Sequence, residues 1–223
     1  MAIEDISVDS TSATGQKPTH PSSIKVVPSP TLIQNSSSTT KTADGGQDLE
    51  KSYILTATAT KPIAPNTLIA KNTTSTTIAD KVSYASVQIS RDQHILLNSD
   101  LVYCNHSCDP NVRFVVVKDD TPPPGAASNS TSKNGEANID IQLWSLENAI
   151  KEGEELRFFY PSTEWDMAQP FPCSCGATSA SNTGGPCLGE IKGAKDIETE
   201  VLNRYWLSDH IRGLIEERDA TKV

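Results

Sequence analysis

Five cysteines occur in a chain of 223 residues, and three of them, Cys173, Cys175 and Cys187, share one short stretch rich in Gly, Ser and Thr. A segment of that composition carries too little apolar surface to order itself. Thiolates gathered this way ligate Zn²⁺, which takes four ligands in a tetrahedron; three free thiols are the alternative. No histidine lies within the stretch, so a fourth ligand must come from Cys104 or Cys108. Cys108 precedes Asp109-Pro110-Asn111, a turn-forming sequence that leaves its thiol at a chain reversal. Cys104 follows Leu101-Val102-Tyr103, an apolar context. The expected metal set is therefore Cys108, Cys173, Cys175 and Cys187. The same segment, NHSCDPN, carries the amide of Asn105 and the imidazole of His106, and Tyr160 closes the run ELRFFY downstream.

These residues need a scaffold, and the hydropathy pattern supplies a mainly β one. "KSYILTATATKPIAPNTLIAK" reads as two β-rich runs around a turn containing Pro62, Pro65 and Asn66, a hairpin-like start. "KVSYASVQIS", "HILLN", "NVRFVVVK" and "IDIQLWSL" are further strand candidates, and ELRFFY is expected to be a strand ending at Pro161. Residues 1–48 are dominated by Ser, Thr, Pro, Gly and Lys without periodicity, and are expected to form a disordered tail. Residues 118–138 read as a disordered hairpin insert. The remaining spans are a β domain over 49–165, a cysteine segment over 166–193 and C-terminal helices over 194–223. In those helices Ile197, Val201, Leu202 and Tyr205 recur at helical spacing, and Ser208 with Asp209 can cap a second helix.

Net charge is -9 with a pI near 4.9, and Lys and Arg form no stripe, which argues against binding nucleic acid by phosphate neutralisation. From Glu147 to Pro170, six acidic residues (Glu147, Glu152, Glu154, Glu155, Glu164, Asp166) face two basic ones (Lys151, Arg157). A basic peptide or protein suits such a surface as a partner; a solvated face is the alternative. The start MAIEDISVDS lacks a basic and apolar leader, no run reaches membrane-spanning length, and the cysteines read as reduced or metal-bound. The expected location is intracellular, nuclear or cytoplasmic, without membrane attachment.

NHSCDPN, then GEELRFFY, then C-x-C-G and a last cysteine, occur in the order found in the SET-domain protein lysine methyltransferases. The chain resembles that family over roughly residues 50–193, and "FYPSTEWDMAQPF" with "CLGEIKGA" is similar to small fungal SET/post-SET proteins. The resemblance implies a knot-like SET β fold in which the NHSC segment threads beside the strand carrying Tyr160. It implies S-adenosylmethionine as cofactor, held by Asn105 and His106, with structural Zn²⁺ on the four cysteines pinning the post-SET loop over it. It also implies an acceptor lysine, on a histone or other basic protein, entering a narrow channel.

Methyl transfer to an amine is an in-line displacement that requires a neutral, aligned nitrogen. Tyr160 is the expected catalytic group, its hydroxyl orienting the amine. Phe158, two residues earlier, would line the substrate channel, and a Phe at this family position implies room for more than one methyl group. Tyr84 is a further candidate channel tyrosine. The family's G-x-G turn aligns with Ile54-Leu55-Thr56, and neither glycine is present. Side chains there restrict φ and crowd the cofactor. Two further readings follow: a catalytically inactive SET module that binds a peptide or partner, and a SET-scaffold enzyme acting on a small molecule.

Overall fold

The computed structural model describes residues 16–29, 55–72, 77–119, 138–180 and 185–222. These form β1 (Ile24–Pro28), β2 (Leu55–Ala59), β3 (Leu68–Lys71), β4 (Thr77–Ile78), β5 (Ser86–Gln88), β6 (His94–Leu96), β7 (Asn105–His106) and β8 (Val112–Asp119). There follow β9 (Asn138–Ser145), β10 (Arg157–Phe158), β11 (Phe171–Pro172), β12 (Glu190–Ile191), α1 (Thr199–Leu202) and α2 (Asp209–Ala220). Among the described residues the architecture is mainly β, in five small sheets, with two helices toward the C-terminal end.

The longest pairing is the antiparallel β8–β9 ladder, Val112↔Ser145 through Asp119↔Asn138, with β3 on its other side. Alternation explains it: Val112 and Phe114 on β8, and Ile141 and Leu143 on β9, turn inward and are buried, with Phe114 directly opposite Leu143. The expected insert therefore begins later than its sequence suggested, since Lys118, Asp119 and Asn138 are paired strand residues and 120–137 lie outside the described residues.

The N-terminal segment differs most from expectation. Residues 16–29 are not a disordered tail: β1 pairs antiparallel with β2 from Ile24↔Ala59 to Pro28↔Leu55. Ile24 and Val26 alternate into the core, a two-residue period too short to stand out within a Ser/Pro-rich context. The remainder of the expected tail lies outside the described residues. Pairing β2 with β1 also removes the expected hairpin with β3, which pairs with β9 instead. The turn between β2 and β3 does form, with Asn66 at φ 49, a left-handed conformation that Asn tolerates.

Two buried clusters result. One joins Ile24, Ile95, Phe114, Leu143 and Leu156 under the sheets. The other joins Phe159, Leu202, Tyr205, Ile211 and Ile215, and fastens the C-terminal helices to the segment after β10. α1 is shorter than its pattern predicts, because a 3-10 turn (Ala194–Asp196) precedes it and the chain leaves the helix at Asn203. Ser208 occupies the N-cap position of α2 as expected, but its hydroxyl donates to the Ser162 carbonyl, 2.8 Å away, rather than to the helix.

Candidate active site and metal centre

The two-residue strands β7 and β10 run parallel, with Arg157 opposite Asn105 and Phe158 opposite His106. Asn111 fixes this pairing with one side chain: its Oδ1 accepts from the Arg157 amide at 2.9 Å and its Nδ2 donates to the Glu155 carbonyl at 2.8 Å. The proline-stiffened turn thus sets the register of the site. Beyond Phe158 the expected strand gives way to a 3-10 turn, Tyr160–Ser162, with Pro161 early in it, where its fixed φ is compatible. Tyr160 therefore leaves the sheet, yet its ring remains 4.7 Å from that of Phe158.

Tyr160, Phe158 and Asn105 line one cavity of about 710 Å³. Leu55, the middle residue of the Ile54-Leu55-Thr56 stretch, also lines it, and Asn105 Nδ2 donates to the Leu55 carbonyl at 3.1 Å. Burial pushes the Tyr160 phenol well above its ordinary value, so the hydroxyl keeps its proton. That proton points at the Cys104 carbonyl, 3.4 Å away, which leaves the oxygen lone pairs available to a donor in the cavity. Tyr84 is 84% exposed and stands among the lining residues as part of the mouth.

His106 is not among the cavity-lining residues. Its ring is wedged against Phe159, Tyr160 and Phe171, at centroid separations of 5.7, 5.3 and 5.7 Å. The Tyr160 amide donates to Nδ1 at 3.2 Å, and because an amide can only donate, the neutral ring carries its proton on Nε2. Nε2 faces the Cys108 sulfur at 3.4 Å. Burial draws the imidazole down to about 3, so it stays neutral through the physiological range. The residue thus links the Tyr160 backbone to the cysteine cluster.

The sulfurs of Cys108, Cys173, Cys175 and Cys187 lie within 4.8 Å of one another. Their surroundings fit a cation. The Leu188 amide donates to the Cys108 sulfur and the Cys108 amide to the Cys175 sulfur, each at 3.4 Å, and such donors stabilise thiolate. At Cys175 burial works in the opposite direction, but the Ala177 and Cys108 amides prevail and draw the thiol down to about 7. Cys104 lies elsewhere, fully enclosed in the main core, where burial pushes its thiol up and keeps it inert. The aromatic ring of Tyr205 closes the arrangement: it stacks on Phe159 at 3.7 Å while its hydroxyl donates to the Cys108 carbonyl at 3.0 Å.

A β scaffold that places a buried tyrosine and an asparagine at one cavity, beside four cysteines whose sulfurs are spaced to hold a metal ion, is a frame on which group transfer can take place. No family model matches the chain. It is 37% identical over 169 residues to the methyltransferase flvH of Aspergillus flavus, an alignment that covers 76% of this chain and 79% of that protein. The chain belongs to the family of that methyltransferase.

The sequence alone does not mark Glu164, Gln16, Lys17 or Thr19 as parts of the cavity wall. Glu164 was visible only as one acid in a charge count. Nothing local marks Gln16–Thr19, because what brings them there is a long-range latch: Asp100 Oδ2 accepts from the Thr19 amide at 2.7 Å and the His20 amide at 2.9 Å.

Proposed function

We propose that this protein is an S-adenosylmethionine-dependent methyltransferase of SET type that methylates the lysine amine of a protein, a histone or another basic protein. The observation that carries the reading is the convergence at one cavity of Asn105 and Tyr160, from segments joined by the β7–β10 pairing, next to the cysteine cluster. When bound, S-adenosylmethionine supplies an electrophilic methyl carbon on a positive sulfur. Asn105 and Leu55 are the wall against which it would rest, and the four cysteines would hold Zn²⁺ and so fix the loop that carries Phe171.

The acceptor nitrogen must be neutral to attack, which costs about 4.6 kcal/mol at pH 7 for a lysine of ordinary pKa. Enclosure of the amine lowers that cost. The Tyr160 oxygen, its own proton committed to Cys104, accepts an amine N–H and aims the lone pair. Phe158, packed edge-on against Phe114 at 4.5 Å, contributes no hydroxyl to hold a methylated amine in one rotamer, which supports multiple rounds of transfer.

A small-molecule amine on the same scaffold is the second reading, and a specific observation favours it. Four of the six carboxylates expected to form a docking face are held within the chain. Glu154 accepts from Asn111 and Glu155 from Ser29, Asp166 pairs with Lys195, and Glu164 is buried at the cavity wall rather than on an open face. Side chains held this way are less free to reach a basic peptide. Zinc-loaded protein incubated with methyl-labelled S-adenosylmethionine, and offered a lysine peptide array beside a panel of small amines, separates the readings. Label on peptides supports the first and label on small amines alone supports the second. Failure to bind the cofactor would sink both.

A further inference from the structure

Three charged residues line the cavity: Lys17, Asp100 and Glu164. Asp100 is occupied, since Oδ2 takes two backbone amides and its own amide donates to the Thr19 hydroxyl at 2.8 Å. Glu164 is different. Its residue is 8% exposed, and Oε1 accepts from the Gln88 amide at 2.9 Å and from the Thr163 hydroxyl at 3.3 Å. Among the described residues the ion-pair partner of Oε2 is His94 Nε2, at 3.4 Å, and that nitrogen is itself buried without a hydrogen bond. Among the described residues no lysine or arginine forms an ion pair with Glu164.

A carboxylate enclosed to this degree is costly unless a cation or further donors meet it. Its position is fixed by the backbone: the Glu164 amide donates to the Tyr160 carbonyl at 3.0 Å, and the Glu164 carbonyl accepts from Ala194 at 2.9 Å. One turn therefore brings to the wall of a single cavity both Tyr160, whose phenol oxygen can accept an N–H, and Glu164, whose Oε2 has spare lone pairs. Both are acceptors, and together they complement an ammonium group, which has three donors and one positive charge.

We infer that Glu164 is the anionic half of the acceptor site, receiving the substrate amine as its cation beside Tyr160. The inference rests on the proposed amine methyltransferase activity and deepens it, because it assigns a positively charged amine as the species that enters, one proton of which passes to the Glu164 carboxylate before the neutral nitrogen attacks. A neutral nucleophile of the same shape is selected against, since it leaves Glu164 Oε2 with no cationic partner beyond the His94 imidazole at 3.4 Å.

The test uses the full zinc-loaded chain saturated with S-adenosylhomocysteine, titrated with n-butylammonium chloride or with neutral n-pentanol, reading the imidazole resonances of His94 by NMR. The ammonium ion is expected to bind and shift those resonances, with n-pentanol binding more weakly. Glu164→Gln is expected to weaken ammonium binding by about ten- to a hundred-fold, the range of one charge-assisted hydrogen bond, and to leave n-pentanol unaffected. Equal affinity of wild-type protein for the two probes, or ammonium binding unchanged by Glu164→Gln, overturns the inference. The comparison of probes on wild-type protein stands even if the variant does not fold. Failure of the wild-type chain to bind S-adenosylhomocysteine would instead overturn the methyltransferase reading itself.

Discussion

Tyr160 carries two separable roles, and each belongs to a different atom. Its amide holds the tautomer of His106 and its phenol faces the cavity. Substitution by Phe retains the first and removes the second. Tyr160→Phe is therefore expected to bind S-adenosylmethionine within about twofold of wild type while turnover falls about a hundredfold or more, the usual scale for one positioned proton-sharing group. Cofactor titration and initial rates on the best acceptor would check this; an unchanged rate would reject the assignment. Of the residues that the sequence singled out, Asn105, Phe158 and Tyr160 meet at the cavity, whereas His106 turns toward the cysteine cluster. Its direction could not be read from the motif, because it depends on which partner reaches Nδ1, and that partner is 54 positions away.

At the level of elements, two devices hold the segment after β10. The first is the cysteine cluster, which connects residue 108 to a loop with no hydrophobic core of its own. Cys173→Ser is expected to abolish stoichiometric zinc, and chelation of the wild-type protein is expected to lower its melting temperature. Metal analysis with thermal melts would show both, and a zinc-free wild-type protein of unchanged stability would refute them. The second is the clasp at the end of α2. The Arg218 guanidinium donates to the carbonyls of Ala194, Lys195 and Ile197 and to the Thr199 hydroxyl, and Asp219 accepts from Arg218 and Thr199.

The Arg218 hydrogen bond, followed by that from Thr199, lowers the Asp219 carboxyl to about 2. A carboxylate depressed in the folded state adds stability that is present above its unfolded value and is lost as pH falls through the folded one. Asp219→Asn should therefore be less stable than wild type at neutral pH. The gap should shrink below pH about 4 and close near pH 2. Denaturant melts across that range would decide it, and a gap that persists at the acid end would contradict the clasp. Gly193 is the backbone requirement here. At φ 133 it lies so close to the Trp165 carbonyl that a β-carbon would collide with it.

On the scale of the whole molecule, the N-terminal segment is a structural part of the domain. Ile24 and Val26 bury their side chains in the core, and the His20 amide donates to the Asp100 carboxylate while its ring contacts the Lys71 carbonyl at 2.6 Å. Ile24→Ala is expected to destabilise the protein by about 2–5 kcal/mol, as for other large-to-small changes in cores. Chemical denaturation would measure it, and a change within error would mean that β1 contributes nothing. No helix among the described residues is long and apolar enough to cross a membrane.

What the sequence by itself determined is the mainly β class, the β8–β9 strands, the two C-terminal helices and the choice of Cys108 over Cys104 as the fourth thiol. Each depends on local signals: alternation, helical spacing, a proline turn and the polarity of flanking residues. Only the tertiary structure decided the pairing of β1 with β2, the direction of His106, the exit of Tyr160 from its strand and the burial of Glu164. These arise from contacts between segments tens of residues apart, such as Gln88 with Glu164 and Thr19 with Asp100. A chain with no local bias at such positions carries no local trace of them, because the free energy that sets them is available only once the partners have met.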